Sequence, residues 1–273
     1  MRVSNKDIAD YYNSHQLFYS LFWSRTGVHY GFWYDKTKNL AEAILNADKF
    51  VVDVLSITQN DLVLDAGCGV GGTSLYIAET TAAKVEGITL SDVQLKIALA
   101  RASRSSASGL LRFSIQDFSK TKFKDKTFSK VFGIESICYA HKKLDFLNEA
   151  YRIMKPGGKI AIVDVFLNKG DLNTEEKKIC KKVCEGWRVP NLSSKEDFLS
   201  FLKQAGFKNV VFHDMLTNIK KSSKRIYYLG LVSAPTRLFL SKIGVTREDL
   251  SNYYQKALLE KIATHGVFVA DKV

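Results

Sequence analysis

The chain has 273 residues, enough for one large domain with an embedded subdomain and a sizeable core. Its 46% hydrophobic and 25% charged residues are ordinary globular values, which argues against a disordered chain, and no apolar run approaches the ~18 residues of a membrane-spanning helix. The net charge of +12 leaves nucleic acid, an anionic membrane surface or an anionic small molecule open as partners, but the lysines are scattered through "KTKFKDK", "EEKKICKK" and "IKKSSKR", which favours a solvated surface with peripheral membrane contact left open.

The start, "MRVSNKD", is polar, so no secretory signal is expected. Cys68, Cys138, Cys180 and Cys184 form neither a CxxC pair nor a zinc spacing, so no metal is expected and a reducing, cytoplasmic setting is inferred. From Tyr11 to Tyr34 there are 10 of the chain's 32 aromatic residues, gathered around "RTGVHYGFWYD". Packing accounts for Phe18, Phe22 and Phe32, and the others are expected to wall a small-molecule site.

Next, "NLAEAILNADKFVVDVL" sets Leu40, Ile44, Ala47, Val51 and Val54 on one helical stripe. Short β-rich runs then alternate with helical ones: "DLVLDAG" with "GTSLYIAET", "AKVEGITLS" with "DVQLKIALARAS", "LLRFSIQD" and "FSKVFGIES" with "LDFLNEAYRIM", then "GGKIAIVDVF". That alternation predicts an α/β fold with a doubly wound, mostly parallel sheet. In the tail, Ser193 and Glu196 read as a capping box before "FLSFLKQAGF", with Gly206 as the helix stop. "KNVVFHDM" and the closing "GVFVADK" read as strands on either side of a helical insertion, which implies an antiparallel finish to the sheet.

The chemistry concentrates in "VLDAGCGVGG". Asp65 ends an apolar strand, Gly67, Gly69, Gly71 and Gly72 follow, and a helix begins. Glycines here let the backbone turn tightly and come close to a ligand. An acid before the glycines, and Thr89 rather than Asp or Glu at the end of the second strand, turn the reading away from a nicotinamide dinucleotide.

At these motifs the chain resembles the class I S-adenosylmethionine-dependent methyltransferases. More narrowly, it resembles the sterol, tocopherol and prenyl-diphosphate C-methyltransferase group, with cyclopropane synthases as cousins. The resemblance runs from about Ile8 to Gly206. It implies a seven-stranded Rossmann-like sheet divided as a helical lid over 1–37, a cofactor-binding core over 38–221, a substrate-capping helical insertion over 222–263 and a last strand over 264–273.

By the same match "LDAGCGVGG" (Asp65, Gly67, Gly69, Gly71) wraps the methionine part of S-adenosyl-L-methionine, and "GITLSDVQ" (Thr89, Leu90, Gln94) holds its ribose and adenine. "QDF" (Asp117, Phe118) borders the adenine. Tyr12, Tyr19, His29, Tyr30, Gly31 and Trp33 belong to the lid, with Tyr30 and Trp33 assigned to the cofactor.

From the residues themselves, Asp65, Thr89, Asp117, Glu135 and Asp164 all stand at the C-terminal ends of predicted strands, where open α/β sheets bind ligands. Glu135, after "KVFGI", is the main catalytic candidate: base, substrate anchor, cation stabiliser, or a carboxylate that only holds the cofactor or a neighbouring loop. His29, Tyr12 and His141 are secondary candidates. The run "ESICYAH" lacks the Glu-His pair of cyclopropane synthases, and no Asn-Pro-Pro-Tyr or Asp-Pro-Pro-Tyr run follows the strand, which disfavours a nucleic-acid acceptor.

The function expected from this is methylation of a small hydrophobic acceptor (prenyl, sterol or quinol-like), at carbon first, with O- or N-methylation of a natural product or amine as the alternative. Lys220, Lys221, Lys224 and Arg225 are candidates for binding a substrate phosphate or carboxylate. Oligomeric state is not legible.

Overall fold

The computed structural model describes residues 3–242 and 250–273, and only the backbone of residues 234 and 236–242. The elements run α1 (Asn5–Phe22), α2 (Leu40–Leu55), β1 (Leu62–Ala66), α3 (Gly72–Thr81), β2 (Lys84–Thr89), α4 (Asp92–Ala102), β3 (Leu111–Ile115) and β4 (Phe128–Ile134). They continue with α5 (Lys143–Ile153), β5 (Met154–Leu167), α6 (Thr174–Trp187), α7 (Lys195–Gln204), β6 (Lys208–Asp214), α8 (Leu216–Lys242), α9 (Ser251–Lys261) and β7 (Ala263–Asp271).

The seven strands form one sheet in the order β3-β2-β1-β4-β5-β7-β6. The first five are parallel, and β7 lies antiparallel between β5 and β6, which is the predicted finish. Alternate residues of the central strands pack on opposite faces: Val63, Ala161 and Val163 join the layer of α2, α3 and α9, whereas Leu64, Ile160 and Ile162 join the layer of α5 and α7. Burial on both faces is why these strands read as continuous apolar runs.

The order reverses between β1 and β4, so the loops that follow these two strands splay apart and leave a crevice at their C-terminal ends. Two boundaries differ from expectation. α7 is capped by Ser194, whose side chain accepts from the Asp197 amide, one residue later than predicted. Helix α8 starts at Leu216 inside the predicted core, and of the predicted insertion residues 243–249 lie outside the described residues.

Candidate active site

Two cavities meet at the crevice. The first, about 790 Å³, lies over the glycine loop. Gly67 has φ +95°, and a Cβ there would stand 2.3 Å from the Cβ of Ser136, so the loop after β1 is packed against the loop after β4. At Gly72 a Cβ would lie 1.8 Å from the Thr26 carbonyl oxygen, which lets the segment after α1 close down on the start of α3.

Asp65 is buried at the end of β1 and accepts from the Ser74 hydroxyl at 2.7 Å. Burial pushes its carboxyl up to about 7; the charge of Asp48 adds to this, while the Ser74 hydrogen bond and His29 oppose it. Asp48, also raised by burial, accepts from the Thr73 hydroxyl at 2.7 Å and lies 3.7 Å from His29 Nε2. The second ring nitrogen, Nδ1, lies 3.0 Å from the Tyr30 carbonyl, and Nε2 is buried without a hydrogen-bond partner.

On the other side of this cavity Thr89 ends β2, Leu90 and Gln94 come after it, and Ile8 and Phe118 close it from α1 and from the loop after β3. Gln94 is steered by Gln16 of α1, which accepts from its amide at 3.2 Å.

The second cavity, about 940 Å³ with its open mouth included, adjoins the first. Tyr11, Tyr12, Phe18, Tyr19 and Trp23 line it from the α1 side, Val183, Cys184 and Trp187 from α6, Ile226 and Leu229 from α8, and Leu258 from α9. Glu135 and Asp164 are the charged residues among its described lining, which holds no lysine or arginine. Tyr12, Val28, His29, Glu135 and Tyr139 line both cavities and form the boundary between them.

Glu135 is the hinge of this boundary. It sits one residue past β4 with φ +48°, a left-handed conformation that costs a non-glycine residue about 1 to 3 kcal/mol. Its amide donates to the Val163 carbonyl at 2.7 Å. Its Oε1 accepts from the Tyr30 amide at 2.8 Å and lies 2.9 Å from His265 Nε2, a contact that puts the imidazole proton on Nε2. Asp164, at the same end of β5, accepts from the Cys138 and Val165 amides; burial, with the charge of Glu135, pushes it up to about 6.

Of the sequence candidates, Asp65, Gly67, Gly69, Thr89, Leu90, Gln94, Phe118, Glu135, His29 and Tyr12 come together around the first cavity. Others do not. His141 is exposed, 3.2 Å from Asn5 Oδ1, and lines neither cavity, because the 3-10 turn over residues 137–139 carries the chain away from the crevice.

Trp33 lines neither cavity; its indole N–H donates to the hydroxyl of buried Ser222 on α8, and the Lys221 ammonium lies over its ring. Tyr30 lines the second cavity rather than the first, and its hydroxyl donates to Gln255. Gly71 caps α3 with its α-carbon facing Phe113 and Ala98. Asp117 uses both oxygens within the protein, accepting from Asn5 and from the Ser119 amide. Lys220, Lys221, Lys224 and Arg225 are exposed on α8 and line neither cavity. Phe18, taken for packing, lines the second cavity.

Sequence reading missed His265, Tyr139, Gln116, Trp187 and Asn252. His265 is fully buried in β7 between the edges of Tyr30 and Phe32, with Nδ1 unpartnered. Its local signal is no more than a histidine in a largely apolar strand.

The first cavity suits S-adenosyl-L-methionine. It offers a glycine cradle, a buried carboxylate for an ammonium, the Thr89 hydroxyl and Gln94 amide for ribose, and Leu90 and Phe118 for a flat base, while His29 Nε2 is an unmet polar atom on its wall. Residues 64–162 match the methyltransferase domain family. The chain is 33% identical over 216 residues to the sterol 24-C-methyltransferase ERG6 of Saccharomyces cerevisiae, covering 78% of this chain and 56% of that one, so it spans just over half the length of this relative.

Among solved structures, the [4+2]-cyclase SpnF superposes with a TM-score of 0.80 at 18% identity over 100% of this chain and 97% of that one. The geranyl diphosphate C-methyltransferase of Streptomyces coelicolor A3(2), solved with Mg2+, geranyl diphosphate and S-adenosyl-L-homocysteine, superposes with 0.77 at 19% identity over 98% of each chain.

The matched domain over residues 64–162, the sheet order and the glycine cradle are those of the class I S-adenosylmethionine-dependent methyltransferase fold. Within that class it is similar to the sterol and prenyl-diphosphate C-methyltransferase group. Among the described residues no helix is long and apolar enough to cross a membrane.

Proposed function

We propose that the chain methylates a small hydrophobic acceptor, at a carbon of a sterol-, prenyl- or quinol-like molecule, using S-adenosyl-L-methionine. The observation that carries this is the shared boundary: a glycine-cradled cavity and an apolar, aromatic one touch at Glu135, Tyr12 and His29. S-adenosyl-L-methionine, when bound, supplies an electrophilic methyl on a sulfonium. Asp65, Thr89 and Gln94 bind its polar groups, and Leu90 and Phe118 clasp its base.

In the second cavity the apolar lining orients the acceptor in line with the methyl, which is the main source of rate. When one alkene carbon takes the methyl, the sulfonium would leave as a neutral thioether and the positive charge would pass to the neighbouring alkene carbon; the faces of Tyr12, Tyr19 and Tyr139 stabilise that charge, and the Glu135 carboxylate takes a proton from a carbon next to it, which restores a double bond. A lining without lysine or arginine among its described residues fits a neutral acceptor better than a diphosphate. The same carboxylate would serve a hydroxyl acceptor, so O-methylation is the second reading.

In this scheme α1 and the segment after it act as the lid and α8 with α9 as the substrate cap, in a reducing, cytoplasmic setting that keeps the four cysteines free. The test is transfer of labelled methyl into a cell extract, with organic, aqueous and nucleic-acid fractions separated. Alkali-stable label in the organic fraction is expected; label in the other two fractions overturns the proposal.

His265 acts here as a positioning residue. Its Nε2–H and the Tyr30 amide both occupy Oε1 of Glu135, which leaves Oε2 to face the acceptor. His265→Phe, which keeps the apolar fit, is expected to lower kcat about tenfold with KM little changed, and His265→Gln, which returns an N–H to the same place, to recover most of it. Equal loss in both variants, with normal folding, would remove this role.

A further inference from the structure

We infer that the surface made by the last turns of α1 and the outward stripe of α8 docks on an anionic lipid bilayer, so that the acceptor passes from the membrane into the apolar cavity. The second half of this statement rests on the proposed function; the first half stands on the surface itself.

Large apolar side chains are exposed on neighbouring turns here. Leu17 and Leu21 are 71% and 63% exposed one turn apart on α1, and Phe22 follows them. On α8, Tyr228, Leu231 and Val232 point outward, the last 81% exposed. The guanidinium of Arg225 donates to the Phe22 carbonyl at 3.2 Å and so ties the two helices together at this place. Other exposed apolar side chains, such as Leu45, Leu99 and Ile115, stand on separate elements. Clustering of this kind on a monomer's surface marks a contact site.

Charge selects the occupant. No aspartate or glutamate occurs anywhere in residues 11–34, nor in any of the 27 residues of α8. Arg25, Lys221, Lys224 and Arg225 are exposed in the same two segments, Lys221 with its ammonium over the Trp33 ring, and none has a carboxylate within ion-pair distance among the described residues. A second copy of the chain would bring cations against cations across a two-fold interface. Anionic headgroups above a hydrocarbon layer complement both the cations and the apolar side chains, as for amphipathic helices at membrane interfaces.

The cavity lies directly behind this surface. Phe18, Tyr19 and Trp23 line it from α1 and the residue that follows, and Ile226 and Leu229 line it from α8, each within a few positions of an exposed member of the patch. One layer of side chains therefore separates the surface from the acceptor cavity.

The test is co-sedimentation of the full chain with vesicles of phosphatidylcholine, with and without phosphatidylserine. It needs neither cofactor nor acceptor, so a failed methyl-transfer assay does not touch it. Binding is expected to the phosphatidylserine vesicles and to weaken with salt. Lys221→Ala with Lys224→Ala is expected to lower it about 30-fold, the loss of two charges near an anionic surface. Leu17→Ser with Leu21→Ser is expected to weaken it as well. Absence of binding, or binding unchanged by both variant pairs, overturns the inference. A dimer in solution that Leu17→Ser with Leu21→Ser dissociates, without vesicle binding, overturns it in favour of a second copy of the chain.

Discussion

Glu135→Gln is expected to lower kcat by about 100- to 10,000-fold, the range for removal of a general base, while cofactor affinity changes by less than about threefold. The substitution is nearly isosteric. The glutamine carbonyl oxygen can accept from the Tyr30 amide and from His265 as the carboxylate oxygen does, so the left-handed backbone at this residue keeps its supports. What disappears is a basic lone pair and a negative charge at the junction of the two cavities. Calorimetric binding of cofactor and a single-turnover assay separate the two roles. Full turnover in the variant would remove Glu135 from the chemistry, and a loss confined to cofactor binding would make it a cofactor ligand.

The second large effect concerns Asp65. Its folded carboxyl sits at about 7, above the ordinary 3.8, because burial disfavours the charged form. The protonated carboxyl therefore favours the folded, cofactor-free protein. That contribution is fully present below pH 3.8 and is lost as pH rises through about 7. Asp164, raised to about 6 for the same reason, adds a loss with the same sign.

A cationic ammonium beside Asp65 reverses the preference. Cofactor affinity is accordingly expected to rise with pH by up to about tenfold per unit below 7 and to level off above it. Asp65→Asn is expected to flatten that rise and to lower affinity at pH 8 by about 10- to 100-fold, the worth of a hydrogen bond to a charged group. Titration calorimetry between pH 5.5 and 8.5 measures both, at roughly one-unit steps. An affinity independent of pH in the unsubstituted protein would show that Asp65 does not meet the cofactor's charge.

Local sequence made the parallel half of the fold and the first cavity legible because both are built from strand ends. Asp65 and Thr89 stand at the ends of their strands, Leu90 and Glu135 follow theirs directly, and the crevice rule assigns such residues to a ligand without knowledge of the packing. His265 escaped for the converse reason. It reaches Glu135 only because β7 inserts antiparallel between β5 and β6, which sets residue 265 opposite Val165. That register is fixed by pairing across about 100 residues, and no nearby motif encodes it.

The aromatic cluster shows both outcomes within a few residues. Tyr12 faces the cavities because it lies on the inner side of α1, while Trp33 is held away from them by buried Ser222, a partner 189 residues away. The side walls from α6, α8 and α9 were equally invisible, since their apolar residues read as ordinary helix packing.

Helix α1 roofs both cavities at once. It is pinned along one flank by Asn5 to Asp117, Asn13 to Ser91 and Asp92, and Gln16 to Gln94. One door therefore governs two kinds of traffic. A chain built this way cannot exchange its two ligands independently. Its steady-state kinetics should follow an ordered sequential scheme in which the nucleoside partner arrives first and leaves last, and the spent nucleoside should inhibit competitively against the fresh one.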